Sequence, residues 1–278
     1  MKYCDLHCHS SFSDGSCTPE QLVELACSAG LSALALTDHN TTEGFNPFLR
    51  AAEGKIEACA GCEFTTGDDG QELHLLGLFL DGKDLTAIQK ALNEQCQRKA
   101  EGNRQTIERL AKAGYGLSYE EFIAFAGTGV KNRVHIARYL MSKGIVSDVS
   151  DAFNGLLSPE NGYYQEGKKL DFYQMISMIS DAGGLSVWAH PLYNVDRDVC
   201  DRTLKKAKDH GLGGVEVYYT TYSEEDTAFM LSECEKYRLL QSGGSDFHGE
   251  NKPEIRLGTG HGNLRIPYDL YRRMKENR

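Results

Sequence analysis

No apolar run in this chain exceeds the length of a strand, which excludes a membrane-spanning helix. No apolar leader stands ahead of its nine cysteines, an odd number at scattered positions, so a disulfide framework is not expected and a reduced, cytoplasmic setting is. Basic residues are in deficit. Thirty Lys and Arg against forty Asp and Glu leave a net charge of -10, which works against a general electrostatic grip on nucleic acid, and no stable DNA complex is expected. Repeats and low-complexity segments are lacking. The one Cys-x-x-Cys, Cys59-Ala60-Gly61-Cys62, has no second copy to complete a zinc site, and positions three apart in a strand face opposite sides. Gly243-Gly244 is too short for a nucleotide-binding glycine loop and fits a close approach of backbone instead. At 278 residues and 40% hydrophobic composition, the chain has the material for one large α/β domain or two modest ones.

The densest chemistry lies at the N-terminus, in Asp5-Leu6-His7-Cys8-His9 and Ser13-Asp14-Gly15. If Lys2 to Cys8 is a strand, alternation sends His7, His9 and Asp5 to one face. Neutral imidazole is the commonest protein metal ligand and a nearby carboxylate commonly orients it. Taken alone, a His-x-His pair is more often two polar residues at a strand end.

Thr18-Pro19-Glu20-Gln21 reads as a capped helix start, and Gly30 ends that helix. The apolar run Leu31 to Leu36 reads as a buried strand ending in Thr37-Asp38-His39. A helix through Phe45 to Glu53 leads to a strand ending at Cys62-Glu63, a turn at Gly67 to Gly70, and the run Glu72 to Leu80 with His74 inside it. This rhythm predicts a parallel sheet. From Asp84 to Gly167 the patterns are helical, as in Ile107 to Gly114 and Val134 to Leu140, and an all-helical insertion is expected. Alternation resumes with a helix over Phe172 to Ala182, a strand ending at Ala189-His190-Pro191, a helix through Cys200 to His210, a strand Gly214 to Tyr218, a helix Glu224 to Lys236, and a last strand ending at Ser245-Asp246-Phe247-His248.

The polar groups that follow these strands are His7, His9 and Asp14, His39, Glu63 or His74, His190, Glu216, and Asp246 with His248; six of the nine histidines are among them. In parallel α/β folds the carboxyl ends of the strands converge on the site, so this coincidence predicts one constellation. Glu216 is a candidate ligand or an acceptor behind one, and Asp38 is expected to buttress. Tyr218, Tyr219 and Tyr222 either line the pocket or pack. His210 and His261 read as surface or loop residues.

These motifs together resemble the PHP family of metal-dependent phosphoesterases, named for polymerase and histidinol phosphatase, over nearly the whole chain. The resemblance implies an α/β fold, a distorted (β/α)7 barrel with an inserted all-helical subdomain: residues 1–83 and 168–278 as the barrel domain, 84–167 as an insertion covering the active site. It implies three divalent metal ions, the first on His7, His9, Glu63 and Asp246, the second on Glu63, His74 and His190, the third on Asp14, His39 and His248. Nitrogen and oxygen ligands without thiolate suit manganese, zinc or iron, with manganese expected. A metal-bridging hydroxide would attack phosphorus, with Asp246 as candidate proton acceptor. Asn132-Arg133-Val134-His135 resembles a segment that usually reads Arg-Pro-His and contacts phosphate, so Arg133 and His135 are candidate substrate contacts, with Val134 in place of the usual proline. Lys168 and Lys169 could rim the same cleft.

The branch it resembles contains nucleoside 3′,5′-bisphosphate phosphatases, some of which trim RNA from its 5′ end, and cyclic phosphodiesterases acting on phosphoribosyl 1,2-cyclic phosphate. The expected substrate is a small phosphorylated metabolite, foremost the 3′-phosphate of a nucleoside 3′,5′-bisphosphate, with short RNA as a further one. Histidinol phosphatase fits less well, because the helical insertion and the position of Asp14 differ from that subgroup. A non-catalytic PHP module is disfavoured by the full ligand set, and a structural zinc site by the absence of a cysteine-rich, closed coordination sphere.

Overall fold

The computed structural model of the chain describes residues 1–127, 131–165 and 167–278. It forms two compact units, one of Met1–Ile88 with Leu170–Arg278 and one of Gln89–Lys169.

In the first unit, β1 (Cys4–Asp5) pairs parallel with β2 (Ala33–His39), and β2 pairs parallel with β3 (Glu57–Asp68). Between them run α1 (Pro19–Ser28), opened by the expected capping box of Thr18 and Gln21, and α2 (Phe45–Ala52). β3 then turns back on itself. Its partner β4 (Gln71–Leu78) is antiparallel to it, in contrast to the parallel sheet that the sequence rhythm predicts. The reason is local: only Asp69 and Gly70 link the two strands, both at positive φ (46° and 83°), which is a tight hairpin turn and far too short for a parallel crossover.

α3 (Thr86–Leu110), α4 (Tyr119–Ala126), α5 (Arg133–Ser142) and α6 (Val149–Asn154) follow, and from Gln89 onward they belong to the second unit. Its core is Ile107, Leu110, Phe122, Ile136, Tyr139, Leu140 and Leu157. The chain re-enters the first unit at β5 (Leu170–Asp171), which pairs with the end of β3, and continues through α7 (Phe172–Asp181) to β6 (Leu185–Trp188), antiparallel to β4. The short α8 (Pro191–Asn194), α9 (Arg197–Asp209), β7 (Gly214–Tyr219), α10 (Glu224–Tyr237), β8 (Leu240–Gly244) and α11 (Tyr268–Glu276) complete it. The strand order is β1-β2-β3-β4-β6-β7-β8, and the nearly closed sheet meets itself where the Leu6 amide donates to Gly243 and the Asp246 amide donates to His7.

The N-terminal strand is shorter than the Lys2 to Cys8 expected. Beyond Asp5 the backbone bonds alternate between the Gly243 to Phe247 stretch on one side and Thr37 on the other, without a regular ladder. Two cores flank the sheet, and the pleat sorts residues between them. In β2, Ala33 and Ala35 lie in the barrel core with Cys59, Leu76, Leu78 and Val187, whereas Leu34 and Leu36 pack outside against α1 and α2. Period two then carries His39, Glu63, His74 and Glu216 to the same inner face as the barrel core. Because β4 runs backwards, His74 in its first half lies two residues along the ladder from Glu63 in the middle of β3, with Thr65 its direct partner. Among the described residues no helix is long and apolar enough to cross a membrane.

Candidate metal centre

Glu63 is the hub. Its Oε2 lies 3.2 Å from His7 Nε2, His9 Nε2 and His39 Nδ1, and its Oε1 lies 2.8 Å from His74 Nδ1 and 3.1 Å from His190 Nε2. Asp246 Oδ1 stands 3.2 Å from His9 Nε2 and 3.5 Å from His7 Nε2. Asp14 Oδ1 is 3.2 Å from His248 Nε2, and its carboxylate is 3.7 Å from His9 and 3.8 Å from His39. Among the described residues three groups could each hold a metal ion: His7, His9, Glu63 and Asp246; His9, Asp14, His39 and His248; and His39, Glu63 and His74. His190 stands beside the last, on the same carboxylate oxygen as His74.

The donor atoms fit divalent cations. His7 Nε2, both ring nitrogens of His9, His39 Nδ1 and Glu63 Oε2 are buried without a hydrogen-bond partner, although His7 Nε2, His9 Nε2 and His39 Nδ1 converge on Glu63 Oε2 and His9 Nδ1 faces Asp14. Buried polar groups are normally satisfied, so a cluster of unsatisfied ring nitrogens around a carboxylate is what a cation site leaves behind. Electrostatics agrees. Burial alone would raise Glu63, but His39, His7 and His74 hold its carboxyl well below the usual range. Burial likewise works to raise Asp246, and His9 and His7 outweigh it. Burial opposes charge on His9 and His74, yet the adjoining carboxylates push them up to about 9 and about 10, while for His39 burial prevails and lowers it to about 3.

The backbone is bent to deliver these groups. His190 (φ 30°) and Asp246 (φ 56°) occupy the left-handed region, which non-glycine residues enter only where the surroundings hold them. Gly244 lets β8 press on the His7 backbone: a methyl group there would lie 2.1 Å from His7 Cβ. Asp5 does not orient an imidazole. Its carboxylate accepts from the amides of Ser245, Gly258 and His7 and from the Ser245 hydroxyl, tying the Asp246 loop to β1. Asp38 is a buttress that accepts from Ser10 and Ser13.

Two further residues hold Asp246: Lys252, which sequence reading missed, and Tyr219, one of the three tyrosines expected either to line the pocket or to pack. Lys252 Nζ donates to Asp246 Oδ2 at 2.8 Å and carries no sequence signal beyond its charge. The Tyr219 hydroxyl donates to the same oxygen at 3.0 Å, and a bulge in β7 between Glu216 and Tyr218 accompanies that aim. Tyr222 instead accepts from the Leu192 amide, and Tyr218 packs on the barrel core. Tyr193, 67% exposed, stands edge-on to His190 at 5.8 Å.

In the second unit, Arg133 donates to the carbonyls of Phe153 and Leu157 and lies over the rings of Phe153 and Tyr164. His135 Nδ1 is 2.7 Å from Asn132 Oδ1 in the cap of α5. Both side chains thus have work inside their own unit.

A PHP domain model matches residues 5–166. The chain belongs to the PHP family. Three PHP relatives are similar along most of their length: a 5′-3′ exoribonuclease of Haemophilus influenzae (34% identical; 88% of this chain, 89% of the relative), a 3′,5′-nucleoside bisphosphate phosphatase of Chromobacterium violaceum (29%; 89% and 88%), and a phosphoribosyl 1,2-cyclic phosphate 1,2-diphosphodiesterase of Eggerthella lenta (28%; 88% and 94%). Among solved structures, an amidohydrolase of Chromobacterium violaceum with bound sulfate and no metal superposes with a TM-score of 0.77 at 28% identity, covering 99% of this chain and 96% of that one. The protein is a metal-dependent phosphoesterase of the PHP type, and the His, Asp and Glu cluster around Glu63 is its candidate centre.

Proposed function

We propose that this PHP phosphoesterase removes the 3′-phosphate of nucleoside 3′,5′-bisphosphates and trims 5′-phosphorylated short RNA by the same cut. The observation that carries the reading is the convergence of five imidazoles on Glu63, with His248, Asp14 and Asp246 completing the donor set. The substrate class rests on chemistry shared by two relatives. A nucleoside 3′,5′-bisphosphate is the one-nucleotide form of a 5′-phosphorylated RNA end, and in both the phosphoester at the 3′-oxygen breaks.

His7, His9, Glu63 and Asp246 would hold a first cation, Glu63, His74 and His190 a second, and Asp14, His39 and His248 a third, manganese foremost, with zinc or iron able to use the same nitrogen and oxygen donors. Bound there, divalent cations supply charge neutralisation at the phosphoryl oxygens and acidify water at the site. Glu63 faces five imidazoles with its two oxygens and would be shared between the first two cations. Asp246, fixed at Oδ2 by Lys252 and Tyr219, turns Oδ1 inward and takes the proton of the attacking water. The water oxygen joins phosphorus, the bond to the 3′-oxygen breaks, and Asp246 passes its proton to that oxygen, giving inorganic phosphate and a nucleoside 5′-monophosphate with the carboxylate restored. Arg133 and His135 are proposed phosphate contacts.

The test is phosphate release by manganese-loaded protein from adenosine 3′,5′-bisphosphate and from phosphoribosyl 1,2-cyclic phosphate in parallel, with Asp246→Asn as control. Preference for the bisphosphate is expected. Preference for the cyclic ester, the reaction named for the Eggerthella lenta relative, would replace this reading with a sugar-phosphate diesterase.

A further inference from the structure

Behind the candidate centre, Glu216 on β7 is fully buried and uses both oxygens. Oε1 lies 3.2 Å from His7 Nδ1, and Oε2 accepts from the His190 amide at 2.9 Å. The rings of His7 and His190 lie nearly parallel, 18° apart with centroids 5.6 Å from each other. Their Nε2 atoms both point away from Glu216 to Glu63, at 3.2 Å and 3.1 Å. Two carboxylates therefore bracket a pair of imidazoles drawn from opposite parts of the chain.

We propose that Glu216 is a positioning residue that sets the ring tautomer of His7 and anchors the strained backbone of His190, so that both Nε2 atoms face the metal centre. A neutral imidazole carries one N–H. When His7 gives that hydrogen to Glu216 from Nδ1, Nε2 keeps its lone pair free for a cation, and Nε2 is the buried atom of that ring without a hydrogen-bond partner. His190 sits at φ 30° and ψ 55°, in the left-handed region that is strained for a residue with a Cβ. The hydrogen bond from its amide to Glu216 Oε2 offsets that strain. His7 and His190 reach the centre from β1 and from the end of β6, so one buried side chain sets two donors that the proposed function assigns to different cations, and the inference rests on that reading.

Glu216→Gln separates this role from mere packing. The amide is the same size but offers one acceptor oxygen to two N–H groups. Either the His190 amide loses its partner, or His7 moves its hydrogen to Nε2 and loses the lone pair. Manganese content after dialysis and manganese affinity by calorimetry are the readouts, with melting of the metal-free protein as a check on folding. Loss of about one equivalent, or a ~10–100-fold weaker affinity, is expected, as is usual when a partner behind a metal-bound histidine is removed. The metal-free melting temperature should stay near wild type, and the stabilisation by manganese should shrink. Glu216→Asp, which keeps two acceptors on a shorter arm, should recover part of the affinity. Should Glu216→Gln fold poorly, nitrogen-15 spectra of zinc-loaded wild-type protein decide: His7 should carry hydrogen on Nδ1 and zinc on Nε2. Wild-type manganese content and affinity in Glu216→Gln, or zinc on His7 Nδ1, would overturn the proposal while leaving the phosphoesterase reading in place. Wild-type protein that binds no metal would overturn both.

Discussion

Glu63 Oε1 and His74 Nδ1 stand 2.8 Å apart across the β3–β4 hairpin, while the other oxygen of Glu63 faces three further imidazoles. A glutamine cannot offer two anionic oxygens to that ring of donors. Glu63→Gln should lower manganese affinity by more than about 100-fold, beyond the range typical of residues one step behind a ligand, and phosphate release should fall with it. Chelation of wild-type protein should abolish activity and added manganese restore it. Activity that survives chelation would remove the metal from the reaction.

The same cluster fixes how cation binding depends on pH. In the metal-free chain His9 is raised to about 9 and His74 to about 10, because Asp246, Glu63 and Glu72 outweigh burial. Both rings hold a proton at neutral pH, and a cation must displace it. Apparent affinity should therefore climb between about pH 6 and about pH 9, by up to ~10-fold per pH unit for each proton displaced, and level off above about pH 10. Calorimetry in two buffers of different ionisation enthalpy reads the released protons directly. Stability of the metal-free protein should run the other way. A histidine whose folded pKa lies above its unfolded value, about 6.5, stabilises fully below about pH 6.5, and the contribution is lost as the pH rises through about 9 to 10. An affinity independent of pH would show that these rings are neutral before metal arrives.

Much of this arrangement could be read from residue order, and the exceptions have physical causes. Polar residues follow apolar, strand-length runs at His39, His190 and Asp246, and alternation links Glu63 to the barrel interior, because a strand has a fixed period of two. The direction of β4 was misread because a hairpin and a crossover begin with the same apolar strand, and only the two residues Asp69 and Gly70 tell them apart. Asp5 shares a strand face with His7 in a regular ladder, but the ladder ends at Asp5 itself, and its carboxylate is spent on the Ser245 and Gly258 amides. Lys252 reaches Asp246 through a loop that has no periodicity to project. Tyr219 depends on the bulge in β7, which nothing in Glu216-Val217-Tyr218 announces.

Gly243-Gly244, by contrast, was interpretable as a close approach, and its consequence is measurable. A Cβ on Gly244 would lie 2.1 Å from His7 Cβ and 2.6 Å from the His7 nitrogen. Both neighbours are backbone or fixed to it, so neither can swing aside. Gly244→Ala should destabilise the fold by about 1–3 kcal/mol through overpacking. At about 2–4 °C per kcal/mol for a chain of this size, melting should fall by roughly 2–12 °C. Metal content should fall as well, since His7 moves. A wild-type melting temperature would mean that β8 and the His7 strand separate freely.

Tyr193 offers the sharpest test of substrate class. Its ring is 67% exposed, follows His190 by three residues in α8, and meets the His190 and Tyr219 rings edge-on at 5.8 and 6.3 Å. An exposed aromatic face beside a phosphate-cleaving centre is suited to stacking on a nucleobase, and such stacking contributes about 1–3 kcal/mol per base. Tyr193→Ala should therefore raise KM for adenosine 3′,5′-bisphosphate by roughly 5–150-fold with kcat little changed, the fold-change that stacking energy implies. Ribose 3,5-bisphosphate, which keeps both phosphates and lacks the base, should show no such loss. Equal losses on both substrates would make Tyr193 a prop for His190 rather than a platform for the base, and no loss on either would place the base elsewhere.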